Sequence, residues 1–329
     1  MTAKVVTGTY TAPEAGRATV ADVYEVWIKS QPHVTEKTLG MRRGAWAMRV
    51  EPVFGHLAVA EVRATAVKGW ISAMVEQGLS APVIEVAFSV LRGVMVTAIE
   101  DQRIARNPCS GVKLPKRVHA DRGYLTHQQV ALLASKVDYL PEVIRFLAYT
   151  GLRWGEMAAL RVQDFDMLRR RVNVSRAFVS YTGKMGTPKS HERRSVPFPA
   201  SLSVELAALM VSKDRDDLVF ASRAGRVLRG NNHREVFSRA VTACRKVDPA
   251  FPVITPHDLR HTAASLAVSA GANVKAVQRM LGHAKASMTL DVYADLFDSD
   301  LDSVADSLDV ALRAAAAYPL RTETADQTL

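Results

Sequence analysis

Residues 281–296 read LGHAKASMTLDVYADL, and the interval from His283 to Tyr293 decides how the second half of the chain is understood. Gly282 directly follows the apolar-periodic run VKAVQRML, the place of a left-handed helix C-cap, so His283 leaves that helix at an angle the cap fixes. KASMT is then a short connection, and the run after it has helical spacing and holds a single tyrosine. A lone tyrosine on an amphipathic helix is ordinarily half-buried packing. What it does here depends on the segments that precede it.

TPHDLRHTAASLAVSAG, 255–271, signals a helix start: Thr255 caps, Pro256 suits the first helical position, and Asp258 lies where a capping-box acid reaches back. His257 and Arg260, at i and i+3, then share one face of the first turns, where unpaired backbone N–H groups and the helix dipole favour an anion. Arg260 brings a planar fork matched to phosphate oxygens, and His257 a donor or a proton shuttle. TGLRWGE, 150–156, sets Arg153 just past Gly151 in a turn between two apolar helices. KMGTPKSHERRSVPFP, 184–199, is a Gly and Pro turn before a strand and carries Lys184 and Lys189.

Taken singly, each segment has an ordinary reading. HxxR is a solvated helix start, Arg153 a cap on the preceding carbonyls, His283 a polar residue after a helix stop, and a hairpin lysine a solvated edge. Together they supply two arginines, two histidines, a lysine and a tyrosine, a set suited to phosphodiester chemistry without metal. Two guanidinium forks neutralise the non-bridging oxygens as charge builds, a tyrosine oxygen attacks phosphorus, and Lys or His protonates the leaving alkoxide. No carboxylate cluster suggests two-metal catalysis, and Cys109 and Cys244 have no metal-ligand spacing.

The formal net charge of +10 is unevenly placed: an excess of +5 over 1–120, +11 over 121–293, and −6 over 294–329. A basic body with an acidic tail points to a polyanionic partner, nucleic acid being the commonest. No stretch approaches eighteen consecutive apolar residues, and MTAKVVTGTYTAPEAG lacks the apolar block of a secretory signal, so the expectation is a chain inside a cell and not in a membrane.

Organisation follows from periodicity and punctuation. Residues 1–17 read as a flexible arm. VADVYEVWI, AVKGWISAMVEQG and VIEVAFSVLRGVMVTAIED read as helices of a bundle spanning 18–106, with Gly78 as a stop and Ser80 as an N-cap. NPCSGVKLPKR exits into a linker over 107–120. A second domain, 121–293, opens on the Thr126/Gln129 capping box, with helices at PEVIRFLAYTG and WGEMAALRV and one short antiparallel sheet from RRVNVSRAFVSYTG and ERRSVPFP. Residues 294–329 read as an acidic tail helix.

The order of Arg, Lys, HxLR, GH and Tyr resembles the tyrosine recombinases, the family of phage and mobile-element integrases. TGLRWGE resembles its first arginine box, TPHDLRHT its HxxR box and LGHAKASMTLDVYADL its His and nucleophile box; FGHLAVAEV to NPCSGVKLPK resembles the helical core-binding domain. The likeness covers about 18–310. It implies a mainly α fold with a small antiparallel β-sheet, a helical core-binding domain followed by an α+β catalytic domain.

It also implies roles. Tyr293 attacks the scissile phosphate and forms a 3′-phosphotyrosyl link; Arg153 and Arg260 clamp the phosphate; His257 and His283 position it and assist proton transfer. Lys189 is the general acid, with Lys184 competing, and Glu156 supports Arg153. No cofactor, metal or ATP is implied. The partners implied are double-stranded DNA, closed in a C-shaped clamp, and other copies of the chain in a synaptic tetramer, in which the acidic tail docks on a neighbour or folds back in cis. An accessory DNA-bending protein is compatible with this scheme.

Only about 17 residues precede the first bundle helix, so the expectation is no folded arm-binding domain and a reaction on a short core site. The activity expected is integration or excision of phage DNA in the cytoplasm of a bacterial host. A chromosome-dimer resolvase, a transposon recombinase, a type IB topoisomerase and a non-cutting DNA-binding regulator are the competing readings.

Overall fold

The computed structural model describes residues 15–117, 123–187, 193–293, 306 and 308–314, and the chain divides into two compact units, 1–120 and 121–329. In the first, Thr19 and Asp22 cap each other reciprocally and start helix α1 (Val20–Lys29). Helix α2 (Glu36–Ala45) runs on into a π-helical segment, Trp46–Gly55, that contains Pro52. Helices α3 (Ala64–Glu76) and α4 (Ala81–Glu100) complete the bundle, the turn between them made by Gly78 in the left-handed region. Ser80 holds the N-cap position of α4 without a side-chain capping bond.

Aromatic packing fills this unit. Tyr24 stacks on Trp46 with ring centroids 3.9 Å apart, and Phe54 meets Trp70 edge-on. Trp27 lies so close to α4 that a Cβ on Gly93 would stand 2.6 Å from its indole, a close approach only glycine permits. Among the described residues α4 is the one helix long and apolar enough to cross a bilayer. Its apolar side chains Ile84, Phe88, Leu91, Val94 and Met95 are buried in the bundle, which accounts for that composition.

Packing reaches into both the expected arm and the expected linker. Ala15–Arg17 form a 3₁₀ turn, with Gly16 buried against Ala60 and the Arg103 carbonyl; residues 1–14 lie outside the described residues. Along the exit segment Cys109 is buried, Val112 and Leu114 pack on the same core, and Arg117 pairs with Glu85.

The second unit begins with α5 (His127–Ser135), started by the Thr126/Gln129 capping box, then α6 (Pro141–Thr150) and α7 (Trp154–Met157). WGEMAALRV was expected to be a longer helix, but α7 has four residues. Ala158, Ala159 and Leu160 are buried beyond it, and the Leu160 carbonyl accepts from Val219 N instead of continuing a helical ladder.

In place of one sheet there are two. Strands β1 (Phe165–Asp166), β2 (Arg171–Val174) and β5 (Arg194–Pro197) form one antiparallel sheet in the order β1-β2-β5, and β3 (Ala177–Val179) pairs with β4 (Lys184–Gly186) in another. The hairpin separates because β3 is drawn to α7: a Cβ on Gly155 would stand 2.6 Å from the Phe178 carbonyl oxygen. Helices α8 (Ser203–Met210), α9 (Gly230–Val247), α10 (Asp258–Ser269), α11 (Val274–Leu281) and α12 (Ser287–Tyr293) follow. Of the acidic tail, 308–314 is helical and exposed; 294–305, 307 and 315–329 lie outside the described residues.

Candidate active site

Gly151 ends α6 with φ +65°, and a Cβ there would stand 2.6 Å from Leu281 Cδ2 and 3.3 Å from Ala263 Cβ. The left-handed turn and the absent side chain let α6, α10 and the end of α11 meet at one point. Arg260, 4 % exposed, occupies that point: its Nη1 donates to the Gly151 carbonyl at 2.6 Å and its Nη2 to the Leu281 carbonyl at 2.5 Å. Those carbonyls close two helix ends, so the arginine satisfies acceptors that α6 and α11 would otherwise leave bare. Burial, then the neighbouring charge of Arg153, pushes its pKa down to about 9, which keeps it a cation at neutral pH.

The start of α10 differs by a residue or two from the sequence reading. Thr255 and Asp258 do meet, with Thr255 N and Oγ1 both donating to Asp258 Oδ2 at 2.8 Å, but 256–257 form a turn and the helix begins at Asp258. His257 therefore stands exposed at the entry, its ring edge-on to His261 with centroids 5.5 Å apart.

Arg153 leads into α7 and is tied to Glu156 twice: its backbone N donates to Oε2 at 2.9 Å and its Nη1 to Oε1 at 2.9 Å. Glu156 is 1 % exposed and holds a second arginine, Arg194 of β5, whose Nη2 and Nη1 donate at 2.6 and 3.1 Å. Burial alone would raise the Glu156 pKa; the hydrogen bonds and charge of Arg194 and Arg153 outweigh it and hold the carboxyl below its ordinary range. Arg194 also donates through Nε to the Met280 carbonyl and packs on Gly282, where a Cβ would stand 2.9 Å from its side chain. Gly282 has φ +65° and turns His283 out of α11.

His283 Nδ1 is hydrogen-bonded to Thr289 Oγ1 at 2.9 Å, and its carbonyl accepts from Gln278 Nε2. Burial, then the charges of Arg260 and Arg153, lowers its pKa to about 4, so the imidazole is neutral at pH 7. Thr289 lies in α12, the helix that carries Tyr293. The tyrosine is 1 % exposed, packed with Ala264, Val268, Val277 and Leu281, and its hydroxyl is hydrogen-bonded to His261 Nδ1 at 2.7 Å.

The fold thus gathers Arg153, Glu156, Arg260, His283 and Tyr293 around one centre in the second unit, with His257 at its rim. Lys184 is exposed on β4, outside this cluster, and Lys189 lies outside the described residues.

Two members went unread in the sequence. Arg194 precedes Val196 by two in a strand, so both side chains point the same way, and Val196 is fully buried; the alternation was there to be used. His261 is adjacent to Arg260, and the apolar character of the helix after it signalled burial.

The arrangement presents two guanidinium groups to an anion, fixed by carboxylate and carbonyl partners, with a phenolic oxygen and a neutral imidazole beside them. Charge stabilisation by preorganised donors and attack by a side-chain oxygen are the steps such a set performs.

The family model described as "Phage integrase family" matches residues 124–300. The integrase of Mycobacterium phage FRAT1 is 29% identical over 256 residues, covering 74% of this chain and 74% of that protein. Among solved structures, the Tn1549 transposon integrase in complex with a circular intermediate DNA superposes with a TM-score of 0.76 at 24% identity, covering 87% of this chain and 99% of that one. A lambda integrase tetramer bound to a Holliday junction gives 0.66 at 16% identity, covering 86% and 81%. The resemblance carried by the boxes, the mainly helical fold and the match over more than half the chain agree, and this chain belongs to the phage integrase family, the tyrosine-type site-specific recombinases.

Proposed function

We propose that this recombinase cleaves duplex DNA by attack of Tyr293 on the scissile phosphate, forming a 3′-phosphotyrosyl link and releasing a 5′-hydroxyl. The observation that carries this is the placement of the Tyr293 hydroxyl, packed behind α10 within the electrostatic reach of the buried Arg260. Arg153 and Arg260 clamp the non-bridging oxygens, Glu156 orients Arg153, and His283 supplies a neutral hydrogen-bonding group. His257, at the rim, assists proton transfer. Lys189 protonates the leaving 5′-oxygen, with Lys184 as the competing choice. Because the covalent link retains the bond's free energy, a partner 5′-hydroxyl reverses the attack, and the proposed cycle uses neither ATP nor metal.

The proposed biology is integration or excision of phage DNA in a bacterial host cell, by copies assembled on synapsed sites. The phage relatives and the DNA-bound neighbours support this reading, and Leu308 and Leu312, exposed one helical turn apart, suit a tail helix that docks on a neighbouring copy. Movement of a transposon is the second reading, favoured by the likeness to the Tn1549 integrase.

The test uses purified chain and a nicked duplex built from the DNA flanking its gene. A covalent protein–DNA band forms with the wild type and is absent with Tyr293→Phe, while DNA binding persists. A band that survives Tyr293→Phe and vanishes on changing another tyrosine overturns the assignment.

A further inference from the structure

We infer that His261 is the residue that holds the nucleophile: it fixes the Tyr293 hydroxyl beside Arg260 in the tyrosine's own subunit before DNA arrives. The inference rests on the reading of Tyr293 as the attacking residue.

His261 sits on a turn anchored on both sides. Arg260 on one side is tied to two carbonyls, and Thr262 on the other accepts a hydrogen bond from Leu125 N at 3.2 Å. Arg260, His261 and Thr262 are all buried, so the imidazole stands on an element with little freedom. The tyrosine comes from α12, described over Ser287–Tyr293.

Thr289 ties α12 to His283, and Tyr293 ties it to His261. Apolar packing of the tyrosine against Ala264, Val268, Val277 and Leu281 is not directional. The hydrogen bond to Nδ1 supplies the direction: with that nitrogen unprotonated, the phenolic O–H donates to it. A displacement of one ångström in a reacting oxygen is enough to cost about 100-fold in rate.

A merely structural histidine, present to satisfy a buried hydroxyl, predicts something different: lost stability, with no special dependence on where the replacement group sits. Asparagine places a polar atom near the position of Nδ1 and glutamine near that of Nε2, so the pair separates the two roles.

The experiment measures single-turnover cleavage of the nicked flanking duplex by the full chain, alongside DNA affinity and tetranitromethane nitration of Tyr293 in DNA-free protein. His261→Ala is expected to slow cleavage by about 10- to 100-fold with DNA affinity unchanged, and to open Tyr293 to nitration. His261→Asn restores most of the rate and the protection, and His261→Gln does not. Wild-type cleavage by His261→Ala overturns the inference, as does equal cleavage by the Asn and Gln variants; should His261→Ala fail to fold, the Asn and Gln pair decides. A covalent band with Tyr293→Phe would instead remove the reading of the nucleophile. Loss of that band together with unimpaired His261 variants removes the role of His261 alone.

Discussion

The two units fill their interiors with different chemistry. Among the described residues of the first, the one buried polar side chain is Thr97, and the core is aromatic and aliphatic. The second buries Thr150, Glu156, Asp164, Arg260, His261, Thr262, Gln278 and Thr289. Burying charge costs free energy that apolar packing does not, and only pairing and hydrogen bonding offset it. The second unit has therefore taken on ionic and polar interiors that stability alone would not select, and they lie where the arginines, histidines and tyrosine converge. In the bundle a residue is either packing or surface. Around Glu156 and Arg260 the same bonds hold the fold and shape the site.

The sharpest way to break that statement is Arg260→Ala. It leaves the Gly151 and Leu281 carbonyls without their guanidinium donor, at about 1–3 kcal/mol for each buried acceptor left unsatisfied, and removes one of the two cations proposed to clamp the phosphate. Loss of the covalent DNA complex is expected together with faster hydrogen exchange in peptides over 141–150 and 274–281. Lost cleavage with unchanged exchange would mean that the arginine serves chemistry only.

Arg194→Ala comes next. It strips the buried Glu156 of its closest partner, and removing one member of a buried pair costs about 3–5 kcal/mol; Arg153 remains, so the lower end is expected. The pH dependence gives the sign. In the wild type the Glu156 pKa is depressed, so the carboxylate contributes stability above its unfolded value that is lost as pH falls through the lower, folded value. Without Arg194 burial dominates, the pKa rises, and the acid transition moves to higher pH. Adding Glu156→Gln should recover part of the loss, and a further loss would contradict this account.

How much of this was legible in the sequence follows the same division. Bundle helices showed through periodicity and the Thr126/Gln129 start through its capping box, because local spacing and local hydrogen bonds produce them. Arg153, Arg260, His283 and Tyr293 were found through their order along the chain, and the structure brings those four together. The shortness of α7 was hidden, since Leu160 is turned aside by Val219, a partner far along the chain. The split of the sheet was hidden for a like reason, the approach of Phe178 to Gly155. Arg194 and His261 carried signals of burial, in strand alternation and in the apolar helix that follows, but their partners Glu156 and Tyr293 lie far along the chain, so their part in the site was missed.

Acid should expose a smaller difference. The His283 pKa, near 4 in place of the ordinary 6.5, means that the unfolded chain takes up a proton that the folded chain refuses. Stability is then full above about 6.5 and declines as pH falls toward 4, in the second unit. Hydrogen exchange over 274–281 should quicken across that window, and His283→Gln should flatten the change. An unaltered slope in His283→Gln would assign the acid response to other groups.

The mildest expectation belongs to the bundle. Thr19 Oγ1 accepts from Asp22 N at 3.1 Å, and Asp22 Oδ2 accepts from Thr19 N at 2.9 Å, both in solvent's reach. Water replaces much of what Thr19→Ala removes, so the cost should be about 1 kcal/mol, the usual loss for an N-cap. Exchange should quicken over 20–29 and stay unchanged over 258–269, and the yield of covalent DNA complex should not move. A matching change over 258–269 would show both units melting in one cooperative transition. The contrast between an apolar interior and an ionic one would then belong to a single stability, shared along the whole chain, and could not be probed unit by unit.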